Sequence, residues 1–348
     1  MTMCQYVGLD VSLKEVSICV VDGSGNVLAR GCVATDPDAL TKYLATAAPD
    51  AERVVHESGQ LSTWLTRELA KRGVPVVCID ARSAHKVLSA RLNKSDRADA
   101  EGLAHLARTG WFVEVHVRSE TSDRVRTLIG ARERLLRMRK ELEAHIRGVL
   151  KTFGFRMGPV GHARSRQSFR DQLAEATSND PVLGLIAERM IPIHRTLCVS
   201  VETLEDELVA LARKSDTARR LMTVPGVGAI TALAFIATVD NPQRFRRSTD
   251  VGAFLGLTPR RYQSGEIDRS GRISKCGDAE MRRLLVSAAT TLMTQVRRFS
   301  PLRSWAVRLS GRKGFKKAAV ATARKIAVIL HAIWRNGTEF KWTKEPVT

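Results

Sequence analysis

Short apolar blocks separated by turn chemistry dominate the first third of the chain. Two runs, 6–11 and 16–21, flank a polar link; DGSGN at 22–26 is a strong turn signal, and VLARGCVA at 27–34 resumes the strand pattern. Three strands joined by tight turns are expected. A polar helical segment at 37–47 follows, then AERVVHESG (51–59) as a strand ending in a turn. LSTWLTRELAKRG (61–73) has helical periodicity and a terminal glycine, and VPVVCID (74–80) reads as a buried strand. KSDRADAEGLAHLARTG (94–110) is expected as a helix stopped by Gly110, and WFVEVHV (111–117) as a closing strand. Hairpin-linked strands followed by alternating helices and strands predict an α/β domain with a mixed sheet over residues 1–120. Asp10 breaks the first apolar run, and a carboxylate in a buried strand is costly unless something pairs with it.

The period then changes. From 121 to 151, Leu128, Leu135, Leu142 and Val149 recur every seven residues, with Ala131 and Met138 between them. This coiled-coil-like pattern predicts either a helix packed on its own domain or a dimer seam. A second helical stretch at 185–215 can pair antiparallel with it, and the Gly- and Arg-rich 153–169 reads as a loop. Residues 121–215 are thus a helical spacer, and 216–348 a mainly helical C-terminal domain. There VPGVG (224–228) opens a helix and resembles the turn of helix-hairpin-helix modules, whose glycines and following helix amides can hold a phosphate. A packing turn is the equal alternative.

Charge narrows the partners. The chain has 56 Lys+Arg against 36 Asp+Glu, a formal +20, which points to a polyanion. Residues 269–335 hold sixteen Lys/Arg and two Asp/Glu, so Arg312, Lys313, Lys316 and Lys317 are expected to meet nucleic-acid phosphates. Cysteines 4, 19, 32, 78, 198 and 276 form no C-x-x-C pair, and His145, His162 and His194 lack zinc-site spacing. No stretch approaches 18 uncharged apolar residues and Asp10 falls too early for a signal peptide, so a soluble cytoplasmic protein without a membrane partner is expected.

The carboxylates supply the candidate chemistry. Asp10 lies in the first strand and Glu57 at the end of the fourth, while Asp96 and Asp99 stand i, i+3 on one helix face. If they converge, their mutual repulsion calls for hard cations; two Mg²⁺ ions bound through oxygens are the usual solution and activate phosphodiester chemistry. Each also has a plainer reading: Asp96 as a helix-start carboxylate, Asp99 as a surface ion-pair partner, Glu57 as a turn residue. Asp22 reads as a turn former. Sugar kinases and actin-like ATPases share the opening G-x-D strand and hairpin, but the second half lacks their phosphate loops.

GLDVS, HESG and LNKSDRADAEGLA, with FLGLTPRRYQSG and GRISKCGD (271–278) farther on, together resemble the DEDD-type transposases of bacterial insertion sequences, the one-ten family. The resemblance implies a ribonuclease-H-like, RuvC-like N-terminal domain with a metal-binding tetrad on Asp10, Glu57, Asp96 and Asp99. It implies a catalytic serine in the C-terminal block, assigned to Ser264, with Ser270 and Ser274 as runners-up and Ser274 alternatively a helix cap. Gln263 and Glu266 depart from the family pattern. Arg260 and Arg261 beside the serine can stabilise a transferring phosphoryl group. No local histidine pairs with the serine, and His331 is expected on a helix face. The family further implies strand exchange through a phosphoserine, a structured element-encoded guide RNA, and a homo-oligomer, a dimer assembling to a tetramer. A metal-dependent junction endonuclease without a serine step, and a non-catalytic nucleic-acid binder, are the alternatives.

Overall fold

The computed structural model describes residues 4–89, 96–161, 163–264 and 267–342. Residues 92–95 of the LNKSDRADAEGLA motif, His162, Glu266 and the side chains of Ser264 and Ser270 lie outside what is described. The chain divides into two units, Met1–Arg118 and Ser119–Thr348.

The first unit runs β1 (Gln5–Val11), β2 (Glu15–Asp22), β3 (Val27–Ala34), α1 (Pro37–Ala47), β4 (Ala51–Glu57), α2 (Ser62–Lys71), β5 (Val76–Ile79), α3 (Ala81–Leu88) and α4 (Asp96–Thr109). The five strands form one mixed sheet in the order β3-β2-β1-β4-β5. β1 is antiparallel to β2 and β2 to β3, while β4 and β5 run parallel to β1. The β2–β3 turn is held by Asp22, whose carboxylate accepts from the amides of Ser24 (2.9 Å) and Asn26 (2.8 Å), the turn role its position suggested.

Strand alternation distributes the core to both faces. Val7, Leu9 and Val54 pack with Leu40, Leu44, Leu65 and Leu69 of α1 and α2. Val55 and Ile79 pack on the opposite side with Ala84, Leu103 and Leu106 of α3 and α4. The expected closing strand at 111–117 is reduced to one bridge, Ile79 to Glu114, with hydrogen bonds from Asp80 to Val113 and from Val115 to Cys78. A closing strand is expected here, but Trp111 is 72% and Val113 58% exposed, so little burial holds it flat against the sheet.

The second unit starts with α5 (Glu120–Lys151), α6 (Ala163–Thr177) and α7 (Pro181–Lys214). Seven-residue periodicity holds along α5, but its register is one residue away from the expected one. Ser122, Ile129, Leu136, Glu143 and Leu150 are buried, whereas Leu128, Leu135, Leu142 and Val149 are half-buried flanks and Met138 is exposed. The reason is that polar side chains occupy the buried stripe. Glu143 accepts from His194 Nε2 at 2.9 Å, and Arg170 donates to His194 Nδ1 at 3.3 Å. Because arginine only donates, His194 carries its proton on Nε2.

The remainder comprises α8 (Asp216–Met222), α9 (Ala229–Val239), α10 (Asp250–Phe254), β6 (Pro259–Ser264), β7 (Ile267–Ile273), α11 (Ala279–Thr294), α12 (Pro301–Lys313) and α13 (Phe315–Asn336). A core including Phe235, Leu255, Met281, Leu285 and Leu330 joins α9, α10, α11 and α13. His331 lies in that interior, with Nε2 2.9 Å from the Pro242 carbonyl and Nδ1 2.9 Å from the Ser248 hydroxyl, so its place is structural. Among the described residues no helix is long and apolar enough to cross a membrane.

Candidate functional site

Because Val7 and Leu9 are committed to the α1/α2 core, alternation turns Tyr6, Gly8 and Asp10 toward α4. Parallel pairing aligns Tyr6 with Arg53 and Gly8 with Val55; one step farther, Asp10 and Glu57 continue the row. Gly8 governs how near α4 comes. A Cβ at this position would overlap the carbonyl oxygen of Ala100 and the amide nitrogen of Ala104, so only glycine lets helix and strand backbones touch. Arg53 donates to the Ala107 carbonyl at 2.7 Å near the opposite end, which sets α4 antiparallel to β1.

This contact indexes the acidic residues against one another. Asp96 lies one helical turn, about 6 Å, before Ala100. Asp10 lies two strand residues, about 6.6 Å, beyond Gly8. All four candidate carboxylates therefore occupy the same end of the sheet, with Asp10, Glu57 and Asp99 half-buried and Asp96 exposed. Among the described residues, no three His, Cys, Asp or Glu side chains stand close enough to hold a metal ion together. The donors themselves are all carboxylate oxygens, which suit Mg²⁺ far better than a thiolate- or imidazole-seeking metal.

Two neighbours escaped the sequence reading. Cys32 continues the row through Ser17, the strand partner of Asp10, and its thiol donates to Glu15 at 3.4 Å. Burial first, then the Glu15 contact, raise the Cys32 pKa, with a smaller contribution from the charge of Asp96, and this keeps it a thiol. The other is His56. It is fully buried on the α2 side, with Nδ1 3.0 Å from the Glu57 carbonyl and Nε2 2.8 Å from the Thr66 hydroxyl. The adjacent HE pair was visible in HESG, but only the fold tells which face each residue takes.

Burial holds His56 below its ordinary value of 6.5. The unfolded chain binds a proton near pH 6.5 that the folded chain refuses, so this contribution to stability is complete above 6.5 and drains as pH falls. The expected loss is about 1.4 kcal/mol per pH unit below that point until the folded group titrates. Urea midpoints at pH 8, 6.5 and 5.5 measure it, and His56→Gln should flatten the profile.

In the second unit the serine-bearing segment is an antiparallel hairpin. Ser264 ends β6 and its backbone pairs with Ile267 at the start of β7. Two glycines pinch the base of the hairpin. A Cβ on Gly256 (φ 67°) would strike the backbone of Cys276, and one on Gly277 (φ 74°) the carbonyl of Phe254. Arg282 then donates to the carbonyls of both Leu255 (3.2 Å) and Cys276 (2.6 Å), tying the two segments together. Arg260 donates to the Ser274 carbonyl at 3.1 Å, and Arg261 makes a two-pronged pair with Asp268 (2.9 and 2.7 Å) across the exposed hairpin. The helix cap that Ser274 could have supplied comes from Asp278, which accepts from the Met281 amide at 2.8 Å.

The basic residues flank Gly314. Arg312 and Lys313 end α12, Lys316 and Lys317 open α13, and all four are exposed. In VPGVG the packing role is visible at Gly226 (φ 88°), where a Cβ would strike the Ala288 carbonyl of α11; a Cβ on Gly228, before α9, would meet nothing.

Two family models match the chain. A transposase model of the DEDD, IS110 type spans residues 7–155, from the first strand through α5, and the transposase IS116/IS110/IS902 family spans residues 218–302, which include the hairpin. The chain is 29% identical to the transposase for insertion sequence element IS1111A of Coxiella burnetii, over 94% of this chain and 89% of that protein. It is also 29% identical to the transposase for insertion sequence element IS1328 of Yersinia enterocolitica, over 96% and 98%. A putative transposase of Sinorhizobium fredii is 32% identical over 71% of this chain and 64% of its own length.

Proposed function

The chain belongs to the IS110-type family of insertion-sequence transposases, and from that premise we propose that it excises and integrates its element through a serine nucleophile assisted by a metal-holding carboxylate tetrad. The observation that carries this reading is the Gly8–α4 contact, which aligns the start of α4 with the strand ends bearing Asp10 and Glu57. The strand order, three antiparallel strands continued by two parallel ones, supports a ribonuclease-H-like, RuvC-like reading of the first unit. On this reading residues 1–120 are the tetrad domain, 121–215 a spacer and 216–348 the serine domain.

Asp10, Glu57, Asp96 and Asp99 are the residues that would hold Mg²⁺, two ions by the number of carboxylates. Bound there, the metal supplies charge stabilisation at the phosphoryl oxygens. The Ser264 hydroxyl attacks the phosphorus of a DNA strand, its proton passing to a carboxylate; a phosphoserine bond forms as the bond to the bridging strand oxygen breaks, and that oxygen takes the proton and leaves as a hydroxyl. A second strand hydroxyl then attacks the phosphoserine and releases the serine. One phosphodiester replaces another, so no ATP is needed. Arg260 and Arg261 supply positive charge beside the transferring group, with Arg261 exchanging its Asp268 contact for a phosphate. Sequence choice falls to an element-encoded guide RNA, and the serine and carboxylates come together in a homo-oligomer in the cytoplasm.

The test is a nicked substrate that traps the intermediate. Wild type with Mg²⁺ is expected to form a covalent protein–DNA adduct that resists denaturant, and Ser264→Ala to form none and to lose cleavage. Continued cleavage by Ser264→Ala would favour a junction endonuclease that uses the carboxylates alone. Transposition that persists after deletion of the flanking noncoding segment would rule out the guide RNA.

A further inference from the structure

A groove of about 1830 Å³ runs between the base of the β6–β7 hairpin and α13. It is larger than the roughly 300–1,000 Å³ of small-molecule sites. Leu257, Ile273, Leu302, Val320, Ile329 and Phe340 contribute its apolar lining, while Arg272, Lys275, Lys316, Lys317, Arg324 and Lys325 bring cations. No Asp or Glu lines it among the described residues. Helical spacing produces this mixture on one side of α13: Lys317, Val320, Ala321, Arg324, Lys325 and Val328 follow one another at steps of one or three residues. The Lys325 ammonium stands 3.7 Å from the centroid of the Trp305 ring, so cation and aromatic face share one wall.

The ligand must be anionic and must also offer apolar faces. A DNA duplex keeps its base faces stacked inside and would use the cations while leaving the apolar floor idle. A strand without a partner exposes both its phosphates and the flat faces of its bases, the combination bound elsewhere by positively charged grooves with aromatic or apolar platforms. We propose that this groove holds an unpaired DNA strand, with bases on the Val320–Ile329–Phe340 floor and phosphates on the flanking lysines and arginines. The proposal rests on the DNA-processing reading above and adds to it a place and a strandedness. Ile273 in the groove wall belongs to β7, whose backbone continues about 20 Å to the hairpin end where Ser264 stands. A strand leaving the groove along that wall is led toward the serine.

The measurement is fluorescence anisotropy of the full chain with a twenty-nucleotide oligothymidine, a twenty-base-pair duplex and an oligouridine of equal length, each across a salt series. Oligothymidine is expected to bind most tightly. The double variant Val320→Ala/Ile329→Ala should weaken it about tenfold with unchanged salt slope and unchanged duplex affinity, because it removes no charge. Lys316→Ala/Lys317→Ala should weaken both DNAs and make the oligothymidine salt slope shallower by about one to two. If the floor variant fails to fold, as circular dichroism would reveal, Trp305→Ala takes its place with the same expected loss. Equal affinity for duplex and oligothymidine, or no effect of the floor variants, would overturn the proposal while leaving DNA binding intact. Tighter oligouridine binding would reassign the groove to RNA. Floor-dependent displacement of oligothymidine by an acidic amphipathic peptide would make it a protein-docking surface. A wild-type chain that binds no nucleic acid overturns the DNA reading itself.

Discussion

Asp10→Asn is expected to abolish strand cleavage while leaving the fold intact. Asparagine is isosteric and keeps one acceptor oxygen, so the β1 backbone pairing with Val16, Ser17 and Ile18 is undisturbed. The variant loses the negative charge that would hold a cation at the strand ends, and removing one pre-organised electrostatic element costs roughly 10²–10³ in rate. The loss here should reach at least that range, because on the proposed mechanism a metal ligand and an acceptor for the serine proton would disappear together. Two measurements separate this from simple damage. The urea midpoint without metal should be unchanged or slightly higher, since one of four like charges at the sheet end has been removed. Mg²⁺ should raise the melting temperature of the wild type and not of Asp10→Asn, as expected when a ligand binds only an intact folded site. A variant that still cleaves at the wild-type rate would remove Asp10 from the site.

Gly8→Ala is expected to cost both stability and activity, although a single methyl group is added. The new Cβ would sit inside the Ala100 carbonyl and the Ala104 amide, which are helix backbone and cannot rotate aside. Helix α4 must withdraw from β1, opening the contacts that Ala100 and Ala104 make beneath Cys19 and Val21. Overpacking of this kind costs typically 1–3 kcal/mol, and a backbone-to-backbone clash belongs at about the upper end. Withdrawal also carries Asp96 and Asp99 away from the row that contains Asp10 and Glu57, so cleavage should fall by more than the stability loss explains at a temperature where the variant is still folded. Gly23→Ala is the matched control, because a Cβ there meets nothing within 4 Å. It should leave the urea midpoint and the cleavage rate unchanged. A Gly8→Ala chain as stable and active as Gly23→Ala would show that the helix–strand contact does not hold the acidic residues together.

Arg282 shows how a remote residue can matter to the same chemistry. Its guanidinium reaches two carbonyls on opposite sides of the hairpin base, a geometry that the flat, multi-donor arginine head satisfies and the single ammonium of lysine does not. Nothing in MRRLL marked it, because the carbonyls it meets lie 6 and 27 positions away in sequence.

Much of the first unit was legible from local pattern. The β1–β3 turns, the α1 and α2 helices and the buried β4 and β5 strands follow from alternation, turn residues and helix stops, all of which act over a few positions. Asp10 stood out for the same reason: a carboxylate in an apolar run is conspicuous without knowledge of its neighbours. What failed locally was burial that depends on distant partners. The 111–117 run has strand chemistry, yet Trp111 and Val113 stay exposed and only one bridge, Ile79 to Glu114, pairs it with the sheet. Along α5 the seven-residue period was readable but its register was not, since Glu143 belongs in the buried stripe only when His194 is across from it.

The sequence by itself determined most elements of the first unit, the charge that calls for a polyanion, and the four acidic residues and serine as candidates. Tertiary structure alone decided that Gly8 admits α4 against β1, that His56 braces Glu57 from the opposite face, and that α13 and the hairpin enclose an apolar, cation-lined groove. The physical reason is that periodicity and turn chemistry depend on near neighbours. Close approach of backbones, the partners of a buried polar group and the walls of a groove depend on residues that only folding brings together.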